Sequence, residues 1–455
     1  MFLTRTLGFR DLVLMIVGTV IGSGIFLVPG PVLKDVQGHT GIAMLAWLAG
    51  GVLSLMGALT YGELSALWPK SGGLYVYIRD CFGSSTAFLY GWTLFFLISS
   101  GSIATLAVGF AIYFSRLIPL GPVGVKLLAI GMIAVVAVVN VVGTRKGANV
   151  LNLATAIKVS VLLVLSVSLL ALGHHSHDSP TGAVVQTGSL VTGFGVAMIS
   201  VLWAYEGWQY CTFTAGETIN PQRNFPRAFL FGTVGLIALY LLANAGYLAA
   251  LGPTRAADSH SIAAVAAEAV IGPAASKLIT IAILISTFSA ANGMMLTSPR
   301  VYFTMAQDGV FFQKLARVHA RYKTPAVAIL CGAAWSMVLA ATGTFEQLLT
   351  YVVFSGWIFY ALGAMAVFSY RRKYPDMARP YRVPGYPWTP LFFIITAAWL
   401  VVNTIAADPR HAAIGLALVL SGVPAYLIWR RKQRRSEDEA AKQLEQDSFR
   451  LEMKP

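Results

Sequence analysis

Gly18-Thr-Val-Ile-Gly-Ser-Gly-Ile-Phe26 lies inside the first long apolar run of the chain, with Gly18, Gly22 and Gly24 falling within one short stretch. Glycine weakens a helix by about 0.5–1 kcal/mol relative to alanine and favours backbone that is broken or closely approached. In lipid an unpaired backbone group is costly, so irregular backbone survives only where it lines a cavity or meets a ligand. The stretch therefore predicts a membrane helix that is interrupted, with the interruption forming half of a binding site.

Composition sets the frame for that reading. The chain has 455 residues, of which 56% are hydrophobic and 11% charged, and its mean hydropathy is +0.69. A soluble domain carries about 25% charged residues, so this is a polytopic, all-α integral membrane protein. A net charge of +14 would suggest nucleic acid as the partner of a soluble protein; here it reads as basic loops on one side of a bilayer, with no nucleic-acid partner. Cys81, Cys211 and Cys331 are far apart, lack metal-ligand spacing and read as packing residues. Met1–Arg10 is too short and polar for a cleaved signal peptide, so the first helix is expected to be retained. No cofactor, metal site or catalytic constellation is expected.

A span needs roughly 20 apolar residues. Twelve runs qualify: 11–36, 41–66, 84–115, 123–142, 149–172, 190–216, 227–251, 273–304, 325–342, 346–370, 388–406 and 411–430. One side of the implied topology collects Arg5, Arg10, Lys70, Arg79, Arg145, Lys146, Arg223 and Arg227. The same side takes the basic groups around 314–323, 371–382 and 430–435, while the other holds only Lys34, Arg116, Lys126, Arg255, Lys277 and Arg410. The positive-inside rule then places both termini in the cytoplasm. His174, His175, His177 and Asp178 fall in an outer loop and read as a solvated polar segment rather than a metal site. The charged tail beyond 431 reads as a solvated cytoplasmic end.

The sixth run contains Leu202-Trp-Ala-Tyr-Glu-Gly-Trp-Gln209. A charge at mid-span costs at least about 2.5–3.5 kcal/mol unless it meets a partner or an aqueous cavity, and Gly207 beside Glu206 lets the backbone open. This second interruption stands in the sixth run as the first does in the first run, and four further runs follow each. That is the pattern of two five-helix inverted repeats, each opening on a broken helix. The expected organisation is a short cytoplasmic N-terminus (1–10), a first repeat (11–172), an extracytoplasmic loop (173–189) and a second repeat (190–370). A loop with two additional helices (371–430) and a cytoplasmic tail (431–455) complete it.

At these residues the chain resembles the amino acid–polyamine–organocation superfamily with its LeuT-type fold, and within it the L-type amino acid transporter family. The resemblance rests on Gly22-Ser-Gly-Ile-Phe26, Ala204-Tyr-Glu-Gly-Trp208, Gly216-Glu-Thr-Ile-Asn-Pro221 running on to Pro226, Ser286-Thr-Phe-Ser-Ala-Ala-Asn292-Gly293 and Arg379-Pro-Tyr-Arg-Val-Pro384. It implies Na⁺-independent exchange of free L-amino acids by alternating access. A zwitterion suits two broken helices: its carboxylate fits N–H groups at the start of a second half-helix, near Ser23, Gly24 and Ile25. Its ammonium fits carbonyls ending the first halves, near Val20, Ile21, Trp203 and Ala204.

The resemblance also assigns roles. Lys158, mid-span in the fifth run, would put its ammonium where related symporters hold sodium, against carbonyls near Gly18 and Thr19 and beside Ser286 or Ser289. A desolvated lysine can also lose its proton, which leaves H⁺ coupling open. Glu206 replaces a glycine common in the family, and an acid there occurs in relatives that accept dibasic substrates; either it faces the substrate side chain or it bonds within the protein. Crowding by Trp203, Trp208 and Tyr210 favours neutral substrates. Trp203 is the expected outer gate, and Leu97, Ile98, Ser102, Phe354 and Trp357, with Trp208 and Tyr210, the expected pocket wall. Glu63, Glu217 and Arg223 form the expected inner gate, with Glu217 and Arg223 pairing. The outer loop Arg116–Gly124 has no cysteine, so no disulfide-linked heavy chain is expected, and the resemblance points to a stand-alone bacterial inner-membrane protein. The competing expectations are an H⁺-coupled symporter or facilitator, one accepting cationic amino acids and, more remotely, a channel or receptor.

Overall fold

A computed structural model describes residues 5–173, 189–259, 261–407 and 409–431. The histidine-rich loop at 174–178 and the tail beyond 431 lie outside the described residues. Among the described residues the chain is helical throughout, with one isolated bridge between Leu7 and Thr218. Eleven helices are long and apolar enough to cross a membrane, and the run expected at 325–342 is a shorter apolar helix, Ala326–Thr342.

The first run is divided into α1 (Phe9–Val20), α2 (Gly24–Leu27) and α3 (Pro29–Asp35), followed by α4 (Thr40–Leu67). A short helix α5 (Leu74–Phe82) leads into a third span made of α6 (Ser84–Thr93), a π turn at Leu94–Ile98 and α7 (Ser99–Phe114). Then come α8 (Pro122–Val141), α9 (Thr144–Leu172) and the second broken helix, which is α10 (Leu190–Ala204) continued by a 3₁₀ segment, Trp208–Glu217. The chain goes on through α11 (Pro221–Ala257), α12 (Ile262–Val270), α13 (Pro273–Thr297), α14 (Pro299–Gln307), α15 (Ala326–Thr342) and α16 (Phe345–Lys373), and ends in α17 (Trp388–Ala407) and α18 (Pro409–Leu420). Proline stands at the first position of α3, α8, α11, α13 and α14, where its missing N–H costs nothing.

Burial sorts the spans. About three quarters of the third and eighth spans is enclosed (78% and 72%), against 28% of α8 and of α17. The third and eighth spans thus form the inner wall around the broken helices, and α8 and α17 turn apolar faces such as Val135, Val138 and Val402 outward. In water such faces would be a liability; against lipid tails they are the matching surface. Cys211 is buried as a packing residue, and Cys331 lies on an exposed face.

Candidate functional site

The two interruptions meet. In the first, α1 ends at Val20, Ile21 leaves helical geometry (φ −72°, ψ 89°) and α2 begins at Gly24. In the second, α10 ends at Ala204, and Gly207 adopts φ +130° before the 3₁₀ segment. A Cβ on Gly24 would lie 2.6 Å from Cα of Ala204, and one on Gly207 would lie 2.9 Å from the carbonyl carbon of Thr19. Each break therefore presents a glycine to the backbone of the other, and the positive φ of Gly207 adds a second reason for glycine there. The Thr19 hydroxyl, 3.0 Å from the Gly207 carbonyl oxygen, donates across the crossing.

Breaking a helix exposes carbonyls at the end of the first half and N–H groups at the start of the second. At the first break the carbonyls are covered by a cation. Lys158 is 1% exposed and its Nζ donates to Gly18 O at 2.5 Å and to Ile21 O at 2.6 Å. The Ser286 hydroxyl of α13 reaches Ile21 O at 3.0 Å and Gly22 O at 3.2 Å. Of the carbonyls expected against Lys158, that of Gly18 is contacted, and the second is that of Ile21, not Thr19, because the chain bends at Ile21 and turns that oxygen toward α9. Ser286 and Lys158 share the Ile21 carbonyl. Ser289, the other serine expected there, makes no hydrogen bond.

The N–H end of the same break is open. Among the described residues the Ser23 and Ile25 N–H groups find no backbone acceptor, and the buried Ser23 hydroxyl has no partner. Orphaned buried donors of this kind are rare in folded proteins. The arrangement is a cation-covered carbonyl end beside an unfilled donor end.

Two carbonyls expected to receive a ligand's ammonium, Val20 O and Ala204 O, are bridged by one side chain. The Tyr240 hydroxyl of α11 lies 3.2 Å from the first and 3.0 Å from the second. A hydroxyl has a single proton to donate, so the two oxygens share the Tyr240 proton, and Val20 O also accepts the Gly22 N–H at 2.8 Å. Tyr240 escaped the sequence reading because a lone tyrosine in an apolar span gives no signal of its own.

Glu206 is held within the protein. Its Oε1 accepts from Gln209 Nε2 at 2.5 Å and from the Tyr360 hydroxyl at 2.6 Å, and Gln209 also reaches the Tyr360 oxygen at 2.7 Å. Among the described residues no hydrogen bond reaches Oε2. Gln209 Oε1 accepts from the Gly207 N–H at 3.3 Å, so one donor freed at the second break is met by the break's own side chain, while the Trp208 and Gln209 N–H groups find no backbone acceptor among the described residues. Of the two roles foreseen for Glu206, bonding inside the protein accounts for one oxygen.

Around the crossing, Trp203 is buried at the end of α10. Leu97 and Ile98 lie in the π turn, a feature often found at functional sites because it releases carbonyls from the helix ladder. Here Trp335 donates to the Phe96 carbonyl at 2.8 Å and Tyr302 to that of Leu94 at 3.4 Å. Tyr210 turns its hydroxyl toward Ser99 and Ser102 without completing a hydrogen bond, while Ser102 donates to the Ile98 carbonyl. Of the other expected wall residues, Trp208 and Trp357 reach Tyr360, the partner of Glu206, with ring centroids 6.4 and 6.1 Å away. Trp208 lies against Tyr61, Phe229 and Phe393 at 5.2–6.3 Å, Phe354 against Gly415 of α18, and Trp357 against Phe393 at 5.4 Å. The aromatic pattern showed their bulk; it could not show which face of the helix they occupy.

At the end of the bundle that carries the N-terminus, two acids are locked. Glu63 is gripped by Arg371 through both oxygens, at 2.9 and 2.7 Å, and accepts the Val383 N–H at 2.7 Å. Glu217 pairs with Arg300 at 2.8 and 3.3 Å, both side chains being almost fully enclosed. Arg300 also donates to Leu296 O and to Thr144 Oγ1. The expected Glu217–Arg223 pair is not formed: Arg223 is exposed at the start of α11, and Arg300, inside the eighth run, is the nearer cation. The backbone of Glu217 accepts from Thr6 and Leu7 at 2.9 and 3.0 Å, which ties the N-terminal segment to the end of the second broken helix.

Comparison with known proteins agrees with this architecture. Residues 7–423 match the family model described as amino acid permease. The chain is 30% identical over 434 residues to the serine/threonine exchanger SteT of Bacillus subtilis (strain 168), covering 95% of this chain and 98% of that protein. It is 29% identical to the b(0,+)-type amino acid transporter 1 of Mus musculus, over 94% of this chain and 88% of the relative. It is 30% identical to the large neutral amino acids transporter small subunit 2 of Homo sapiens, over 94% and 82%. The chain belongs to the amino acid permease family of the amino acid–polyamine–organocation superfamily: a multi-pass membrane transporter of free amino acids, not an enzyme.

Proposed function

We propose that the protein is a Na⁺-independent L-amino acid exchanger that works by alternating access and binds its substrate where the two broken helices cross. The observation that carries this reading is the unequal state of the first break: Lys158 covers its carbonyl end, while the Ser23 hydroxyl and neighbouring N–H groups lack partners. A substrate carboxylate fits the open donor end, where the half-helix dipole favours negative charge. Lys158 supplies in place the charge that a sodium ion would otherwise bring, so no external cation is required. The substrate ammonium, with three donors, takes over Val20 O and Ala204 O from the single Tyr240 proton. The name of the Bacillus subtilis relative, an exchanger, supports the exchange mode.

Glu206 Oε2, left without a protein donor, favours a small hydroxylated or other donor-bearing side chain over a purely aliphatic one, with cationic amino acids as the second reading. Trp203 closes the outer side. The ion pairs Glu63–Arg371 and Glu217–Arg300 close the inner side and separate as it opens. Both termini face the cytoplasm of a bacterial inner membrane, as the basic end of the bundle suggests, and the cysteine-free loop Arg116–Gly124 offers no attachment for a disulfide-linked heavy chain. Counterflow in proteoliposomes tests the reading. Uptake of labelled amino acid is expected to require unlabelled amino acid inside and to be unchanged when choline replaces Na⁺. Uptake into empty vesicles driven by a pH gradient would establish H⁺ coupling instead.

A further inference from the structure

On the flank of the first break, α1, α9 and α11 enclose a groove of about 560 Å³. Its walls include Val13 and Val17 of α1, Ala156 and Leu163 of α9, and Phe231 and Leu239 of α11, and Ser160 is its one polar lining residue. The groove opens toward the bilayer, for Leu163 is 46% and Phe231 61% exposed. Its exposed lining residue Gly235 leaves room beside it: a Cβ there would meet nothing within 4 Å. An unfilled apolar groove among membrane helices loses packing contacts along its whole length, and the solvent that fills it is lipid.

Charge says which lipid. Residues one helical turn apart share a face. Arg10 precedes Leu14 by one turn, and Arg227 precedes Phe231 by one turn, so both arginines continue the lining stripes beyond the groove, and both are exposed. The rings of Phe9 and Phe231, 6.4 Å apart, bring α1 and α11 together at that level. Arg145, at the start of α9, adds a third cation, 54% exposed and 3.2 Å from Asp11. Asp11 is itself engaged by Arg145 and by Asn152 at 2.7 Å, and neither α9 nor α11 contains any Asp or Glu. Arginine at this depth meets headgroup phosphates, and each such cation favours an acidic lipid.

We propose that this groove is a binding site for an acidic glycerophospholipid, with one acyl chain lying between α1, α9 and α11 and the phosphate held by Arg10 and Arg227. The chain then packs against Val17, next to Gly18, so the lipid braces the half-helix that Lys158 holds from the inside.

The test uses full-length protein stripped of lipid in detergent and incubated with phosphatidylglycerol or phosphatidylcholine of identical chains, with retained lipid counted by native mass spectrometry. Phosphatidylglycerol is expected to be retained about tenfold better. Arg10→Gln with Arg227→Gln should abolish that preference, and Gly235→Phe should release both lipids. Equal retention of the two lipids by the wild type, or unchanged retention in Gly235→Phe, overturns the proposal. A second measurement needs no variant: phosphatidylglycerol with a diazirine on its acyl chain should label wild-type peptides spanning 13–17, 156–163 and 231–242. Labelling that avoids these peptides also overturns it. Both readouts are of lipid binding, so they stand apart from whether the protein exchanges amino acids.

Discussion

The two broken helices solve the same problem with opposite means. At the first, the exposed carbonyls are capped by a cation from another helix, Lys158 on Gly18 O and Ile21 O, with Ser286 alongside, and N–H groups are left open. At the second, Gln209 meets one freed donor, the Gly207 N–H, and the charge beside the break is a carboxylate, Glu206, tied to Gln209 and Tyr360. One break has a cation from another helix beside it; the other has its own carboxylate, held by Gln209 and by Tyr360 of α16. A break with unmet donors beside a fixed positive charge is a receptor for an anion, and the family to which the chain belongs carries molecules that bear a carboxylate. Under the proposed function, the common part of the substrate belongs at the first break and the variable part at the second.

Perturbing the prop should do the most damage. Lys158→Ala removes two charge-assisted hydrogen bonds, leaving the buried Gly18 carbonyl without its side-chain donor and the Ile21 carbonyl with Ser286 alone. With each such bond worth about 1.5–3 kcal/mol, counterflow is expected to fall by about 100-fold or more while the protein still elutes as a single species. Wild-type rates in that variant would make the two breaks equivalent. Gly24→Ala comes next. Its new Cβ would stand 2.6 Å from Cα of Ala204, and backbone cannot yield as a side chain can, so transport should drop by about tenfold, a cost of about 1–3 kcal/mol for overpacking. Gly131→Ala on α8, where a Cβ likewise meets open space, is the matched control and should transport normally.

Tyr240→Phe sharpens the comparison at the point where the breaks are joined. It leaves Val20 O and Ala204 O without their shared donor in the empty protein, so the substrate ammonium no longer has to displace it. KM should fall by about fivefold, equivalent to about 1 kcal/mol for one hydrogen bond. A raised KM would mean that the hydroxyl assists the substrate directly. The smallest effect is expected from Glu206→Gln, which keeps the length of the side chain and an acceptor for Tyr360. The rate for small aliphatic amino acids should change by no more than about threefold, and discrimination in favour of donor-bearing side chains should shrink by about the value of one charged hydrogen bond. An unchanged substrate profile would remove Glu206 from the specificity argument.

What the sequence could disclose follows from where the information sits. Glycine and charge inside an apolar run violate the composition of a lipid-exposed helix, so Gly18–Phe26, Lys158 and Glu206 announce themselves from local context. The position of the second break, opening a second set of helices, is likewise a matter of order along the chain. Tyr240, Tyr360 and Arg300 give no such signal. Each contacts residues distant in the chain, as when Arg300 reaches Glu217 in preference to the exposed Arg223. The choice among cations is made by tertiary geometry rather than by spacing. The buried positions of Trp208 and Phe354 are hard to read for the same reason: an apolar helix buried on several sides has no polar face from which to read its orientation.

The central claim is that the first break receives an amino acid backbone with Lys158 standing in for a metal ion. It is tested most directly by counterflow of a labelled amino acid into proteoliposomes loaded with unlabelled amino acid, with Na⁺ or choline as the external cation, for wild type and Lys158→Ala side by side. The account predicts equal wild-type exchange in both salts and loss of exchange in the variant. Wild-type exchange that depends on Na⁺, or a variant that exchanges as fast as the wild type, would contradict it.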